Sequence, residues 1–161
     1  MTDHERCYIA AMRILGHRFN SELELRRKLT SKRFERDVIN ETIEKLRGEK
    51  WLDDERFAAA FVRTRMAKKI GRDRIRRELF AAGVANDIAE KVIRENADAD
   101  REREDLAAVA TKRIQQLQRR HGDDVLETPE GRKKLAAYLL KQGYDFALIR
   151  AVIKELPVVD D

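Results

Sequence analysis

The chain reads as all-α: three tandem three-helix repeats, built of helix-turn-helix-like units, in an elongated, curved right-handed array. Three observations predict this. Only two prolines occur in 161 residues, Pro129 and Pro157, both near the end, so most of the chain is free to be helical. Apolar residues recur at helical spacing along most of it. The chain also repeats itself. Leu25, Leu29, Phe34, Val38 and Ile43 are followed 50 positions later by Ile75, Leu79, Val84, Ile88 and Ile93. After 60 more come Leu135, Leu139, Tyr144, Leu148 and Ile153. All three sets align without a gap, and every position is apolar, which marks a repeat architecture.

The first repeat, residues 1–52, opens with a helix from Tyr8 to Arg18. Ser21 and Glu24 then match a capping box at the head of the next helix, which carries Leu25 and Leu29 one turn apart. A tight turn at Arg33 leads to a third helix whose inner side is Val38, Thr42 and Ile43. Gly48 is read as its stop, and Gly48-Glu49-Lys50 as the joint. The second repeat, 53–95, begins at an Asp53 or Asp54 cap, and its long helix runs to Lys69 on Phe57, Phe61 and Val62. Gly83 provides the left-handed turn, as Gly143 does in the third copy, because glycine meets no Cβ clash there. Asn86 or Asp87 is the expected cap of the helix through Ile88 to Ile93. A joint from Asn96 to Arg103 opens the third repeat, 96–161. Its helix from Asp105 to Arg119 carries Leu106, Val109, Ile114 and Leu117, followed by a loop over His121–Glu127. Thr128 then caps a helix with Pro129 in its first turn. A three-helix unit this short buries little core alone, so stacking on neighbours supplies the rest.

Catalysis needs converging groups, and the sequence offers none. A lone Cys7 permits no internal disulfide and no cysteine-based zinc site, in keeping with a reducing compartment. It is expected to be buried and inert. His4, His17 and His121 are scattered and read as solvated or half-buried side chains. No phosphate-binding glycine loop is present, and neither Ser21 nor Ser31 lies in a nucleophile elbow. Asp53-Asp54-Glu55 is better explained by helix capping than by a cation, because adjacent carboxylates point in different directions. No apolar run approaches a membrane span of roughly 18 residues, and the first residues do not lead into a signal-peptide core. The reading is a cytoplasmic, monomeric non-enzyme without cofactor or metal.

Charge is more informative. The chain carries 35 Lys and Arg against 30 Asp and Glu, for a net +5. From Arg63 to Arg77 the basic residues are Arg63, Arg65, Lys68, Lys69, Arg72, Arg74, Arg76 and Arg77. Eight cations against Asp73 alone give +7 over fifteen residues. Arg26-Arg27 and Arg76-Arg77 occupy one repeat position. Such a cluster can neutralise phosphates without reading sequence, or meet an acidic protein surface, or stay solvated. Contact with phosphate or an acidic partner is the favoured reading. Base-specific recognition is not indicated, since no helix shows a face rich in Asn, Gln or Ser, and aromatics do not interleave with the cations. Trp51, at the joint of the first two repeats, is read as core wedged between them rather than as an exposed anchor for a partner.

The segment Trp51-Leu52-Asp53-Asp54-Glu55-Arg56-Phe57-Ala58 resembles the central signature of the RecX family, regulators of the RecA recombinase. Gly71, Ile75, Glu78-Leu79 and Gly83-Val84 extend the likeness. Ser21-x-x-Glu24-Leu25-Arg26-Arg27-Lys28-Leu29 is similar to that family's first repeat, and Arg132 to Ile153 to its last, so the resemblance covers about residues 8–156. Two positions depart from the pattern: Arg33 where glycine often precedes the aromatic residue, and Arg72 where proline commonly follows Gly71. Both concern turn geometry.

The resemblance implies a nine-helix fold without enzymatic activity that binds RecA nucleoprotein filaments in their groove. It implies suppression of ATP hydrolysis, strand exchange and filament growth, within recombination, DNA repair and the SOS response. On this reading Arg26, Arg27, Arg63, Arg65, Lys68, Lys69, Arg72, Arg74, Arg76 and Arg77 contact RecA or the phosphates of single- or double-stranded DNA. The rival reading is a sequence-independent nucleic-acid-binding repeat protein with no recombinase partner. A repeat scaffold for an unrelated acidic protein is the third.

Overall fold

In a computed structural model, which describes residues 1–156, the described chain is all-α. Its elements are α1 (Asp3–His17), α2 (Glu22–Ser31), α3 (Arg36–Gly48), α4 (Asp54–Ala67), α5 (Arg72–Ala81), α6 (Asn86–Asn96), α7 (Ala99–His121), a 3-10 helix (Asp123–Glu127), α8 (Pro129–Lys141) and α9 (Phe146–Glu155). Pro157 and the last residues assigned to the third repeat lie outside the described residues.

The repeat is visible in the turns. Arg33, Gly83 and Gly143 all take left-handed backbone, with φ of 67°, 79° and 99°. In each copy the N–H of this residue donates three positions back, to Thr30, Phe80 or Leu140. The next N–H, of Phe34, Val84 or Tyr144, donates five positions back, to Leu29, Leu79 or Leu139. These bonds satisfy the carbonyls that a helix end leaves open. The residues feeding the turn, Leu25 and Leu29, Ile75 and Leu79, and Leu135 and Leu139, are all buried. The column Val38, Ile88 and Leu148 is only half-buried. Ile39, Ala89 and Ile149 take the inner place instead, so the next helix is rotated by about one residue from the expected face.

The chain divides into two compact units: residues 1–63 with 78–95, and residues 64–77 with 96–161. The first is centred on Cys7, Ala11, Leu25, Leu29, Ile39, Ile43, Leu46 and Leu52. Ser21 caps α2 by accepting from the Glu24 N–H while Glu24 reaches back to the Ser21 N–H. The same hydroxyl donates to the Ala82 carbonyl at 2.5 Å. The Glu22 N–H donates to Asp54 at 2.9 Å, and Lys91 pairs with Glu55 at 2.7 Å. Asp53 caps α4 by accepting from the Glu55 and Arg56 N–H groups. Each carboxylate of the Asp53-Asp54-Glu55 run is thus held by a protein donor. Cys7 is buried, and desolvation pushes its thiol up against a smaller opposite effect of a hydrogen bond with Thr42. The three histidines are exposed.

The second unit is centred on Leu106, Ala110, Leu117, Leu135, Leu139, Tyr144, Ile149 and Val152. Thr128 caps α8 through the Gly131 N–H, with Pro129 in the first turn.

Five local expectations are corrected. α3 does end at Gly48, but no glycine makes the left-handed turn expected there; the left-handed residue is Lys50, at φ 62°. Neither Asn86 nor Asp87 caps α6, because both lie in its first turn, where the Ala89 N–H already donates to the Ala85 carbonyl. The joint from Asn96 to Arg103 shrinks to two residues, because Asp98 caps α7 through the Asp100 and Arg101 N–H groups. His121–Glu127 is not open loop: Asp123–Glu127 form a 3-10 helix that buries Val125. Trp51 is not core. It is 54% exposed, while Leu52 beside it is buried.

Candidate partner-binding surface

The expected basic residues divide between the units, with Arg26, Arg27 and Arg63 in the first and the other seven in the second. In the first unit, the half-buried Arg26 guanidinium donates to Glu22 at 3.1 Å and to Asn40 at 2.6 Å. Glu22 also receives Arg47 at 2.5 Å. Burial pushes the Glu22 carboxyl up, but the hydrogen bonds and charges of Arg47 and Arg26 outweigh it and hold the group below the ordinary range. Arg26 is therefore neutralised from within. Arg27 is exposed and donates only to a carbonyl, that of Ala81, at 3.2 Å, so its charge stays uncompensated. Arg63 is exposed, and no ion pair among the described residues involves it.

In the second unit the cations surround one backbone contact. The Gly71 N–H donates to the Gln142 carbonyl at 2.8 Å, and the Asp73 N–H to the Gly143 carbonyl at 3.0 Å. The buried Tyr144 hydroxyl donates to the Lys69 carbonyl at 2.6 Å. Burial pushes the Tyr144 phenol well up, with the charges of Asp105 and Glu102 adding to it. Lys69 itself is left-handed, at φ 58°. This clasp fixes the head of α5. Arg72 pairs with Glu102, Arg74 donates to Gln142 at 3.1 Å, and Arg76 pairs with Asp73 at 2.7 Å. Lys68, Lys69 and Arg77 are exposed, and no ion pair among the described residues takes up their charge. Arg65 is half-buried.

A second cluster escaped the sequence reading. Residues 26–36 hold Arg26, Arg27, Lys28, Lys32, Arg33 and Arg36 against Glu35 alone, six cations to one acid, for +5. The signal was available by the same count that found the longer stretch. Lys32, Arg33 and Arg36 are exposed around the first left-handed turn. The exposed Trp51 was also missed, and with Phe19 it borders a groove between the end of α1 and the start of α4. Among the described residues no group of three His, Cys, Asp or Glu side chains could hold a metal ion. No described helix is long and apolar enough to cross a membrane.

Comparison with known proteins places the chain. Residues 7–46 match the family model of the first three-helix domain of RecX, and residues 53–93 that of the second. A regulatory protein RecX of Chlorobium phaeobacteroides is 33% identical over 156 residues, covering 96% of both chains. One of Clostridium perfringens is 30% identical over 94% of this chain and 68% of its own length. The crystal structure of RecX from Lactobacillus salivarius superposes with a TM-score of 0.76 at 28% identity, covering 96% of both chains. An all-helical repeat fold, two matched three-helix domains and relatives that agree along nearly the full length lead to one assignment: the chain belongs to the RecX family of regulatory proteins.

Proposed function

We propose that the protein binds RecA nucleoprotein filaments and restrains them, inhibiting RecA ATP hydrolysis, strand exchange and filament growth. It would thereby modulate recombination and DNA repair in the cytoplasm by contact, with no chemistry of its own. The observation that carries this reading is the family match along nearly the whole chain to relatives named regulatory protein RecX. Repeats over 1–52, 53–95 and 96–161 suit a polymeric partner, because several weak contacts on one chain act multivalently.

The contact surface in this reading comprises Arg26, Arg27, Arg63, Arg65, Lys68, Lys69, Arg72, Arg74, Arg76 and Arg77. Arg27, Arg63, Lys68, Lys69 and Arg77 carry its electrostatic part, since their charges are not spent on internal carboxylates. Arg26, Arg72 and Arg76 already pair with acids and chiefly hold the surface in shape. Phosphate contacts with single- or double-stranded DNA are weak and without sequence preference.

The test is DNA-dependent ATP hydrolysis by the recombinase from the same source, titrated with this protein as a monomer, with single-stranded DNA in excess. Loss of turnover below stoichiometric protein is the expected result, and K68E/K69E and R76E/R77E should each weaken it with helicity intact. No effect at excess protein would overturn the reading. Salt-sensitive binding to bare DNA would then make a plain nucleic-acid-binding repeat protein the better account.

A further inference from the structure

Trp51 and Phe19 are large apolar side chains left about half in water, at 54% and 48% exposure. They border one groove within the first unit, lined also by Met12, Leu15 and Gly16 of α1 and by Asn20, Asp53 and Arg56. Their outward position is built into the chain. The α3 helix ends with the Trp51 N–H donating to the Leu46 carbonyl at 2.9 Å, just after left-handed Lys50. That turn sends Leu52 into the core and Trp51 out of it. Gly16 deepens the groove, because a Cβ there would meet nothing within 4 Å.

The composition of this groove selects its occupant. Exposed Trp and Phe beside Met and Arg are the residue types that concentrate in the centres of protein interfaces. The methionine thioether adapts to apolar side chains of varied shape. The polar groups of Asn20 and Asp53 are already used. The Asn20 amide donates to the Arg18 carbonyl and accepts from Lys28, and Asp53 accepts two N–H groups at the head of α4. Of the polar and charged side chains that line the groove, only Arg56 keeps a charge that no hydrogen bond or ion pair among the described residues takes up. Arg13 and Lys50, the chain neighbours of Met12 and Trp51, are exposed like Arg56, with no ion pair to any of the three among the described residues. We infer that this groove is a docking site for a peptide segment of a partner protein, one that inserts a bulky apolar side chain between Phe19 and Trp51 and sets a carboxylate against Arg56.

The protein supplies its own reporter, since Trp51 is the single tryptophan of the chain. A displayed library of random peptides is selected on the full chain and counter-selected on Gly16→Leu. That variant fills the groove from open space and also raises helix propensity, so it is expected to fold at least as well as the wild type. Peptides retained by the wild type should carry a Leu, Phe or Trp flanked by Asp or Glu. Their synthetic forms should shift Trp51 emission to shorter wavelength as the ring loses water. Binding should fall at least about tenfold in Gly16→Leu and Phe19→Ala, as for the central residues of an interface, and several-fold in Arg56→Glu. Three results would each overturn the inference: no peptide preferring wild type to Gly16→Leu, retained peptides without carboxylates, or emission shifted by an oligothymidylate strand and not by peptides. The last would make the groove a base-stacking site. Because the probes are peptides and no recombinase is present, the outcome is independent of the filament reading.

Discussion

Gly71 sits where two stretches of backbone approach each other in the second unit. A Cβ added there would lie 2.3 Å from the Gly143 carbonyl carbon, 2.4 Å from its oxygen and 2.6 Å from the Tyr144 nitrogen. All three are main-chain atoms, so no side chain can swing aside, and Gly71→Ala must part the strands of the clasp. Three hydrogen bonds cross that gap: Gly71 N–H to Gln142, Asp73 N–H to Gly143, and Tyr144 O–H to Lys69. At about 1 kcal/mol net for each bond, their loss amounts to about 3 kcal/mol. With a urea slope of about 2 kcal/mol/M for a chain of this size, the midpoint should fall by roughly 1.5 M. Circular dichroism during urea unfolding measures the shift, and amide exchange at Asp73 reports the clasp itself. The reasoning fails if Gly71→Ala keeps its midpoint and the Asp73 amide stays protected. The same clasp fixes the head of α5, so under the proposed function a folded Gly71→Ala should also inhibit the recombinase less well than its helicity suggests.

Two further outcomes follow from the packing. Arg33 holds left-handed backbone where the other copies have glycine, which costs roughly 1–2 kcal/mol in the folded chain, and glycine gives back about 0.4–1 kcal/mol through the unfolded one. Arg33→Gly should therefore stabilise by about 0.5–1 kcal/mol in urea unfolding; a loss of stability would mean the side chain has a structural role. Glu22 titrates below its ordinary value when folded, so its pairs stabilise fully above the unfolded carboxylate range near about pH 4.3, and that stability disappears as pH falls through the folded value. Burial shifts Asp54 the opposite way, which blunts the effect in the wild type. The comparison is therefore with Glu22→Gln: the gap in urea midpoint should be open at neutral pH and close on acidification, and a gap unchanged at low pH would remove Glu22 from the acid response.

Much of the fold was legible because the repeat constrains it three times over. Leu25, Ile75 and Leu135 had to share an environment, and all three are buried. Arg33 could be placed in a glycine turn from its register alone, although nothing about arginine suggests φ 67°. The joints were less legible. A helix end depends on which residue turns left-handed, and Lys50 does so with no glycine to announce it. Asp98 likewise caps a helix earlier than the apolar spacing implied, because a charged first turn such as Asp100 to Asp105 carries no apolar period. The expected basic residues were legible as charge but not as surface. Sequence cannot tell that Glu102, thirty residues on, takes up Arg72 while Lys68 and Lys69 keep their charge.

Trp51 and Leu52 show why composition misleads at such a joint. Two adjacent apolar residues leave a helix together, and the turn has one inward position to offer. Size favours tryptophan for burial, since it removes the most apolar surface from water. Yet the core here is already closed by Leu46, Ile43 and Cys7, and a leucine fills the remaining space without displacing them. The larger ring is left outside, bordering the groove that Phe19 and Gly16 also line. A chain needing only a stable core could place a polar residue at position 51, since Leu52 already completes the packing. Retaining two half-exposed aromatic rings beside unpaired cations gains nothing for folding in water, and the natural account of that combination is a second surface that covers it.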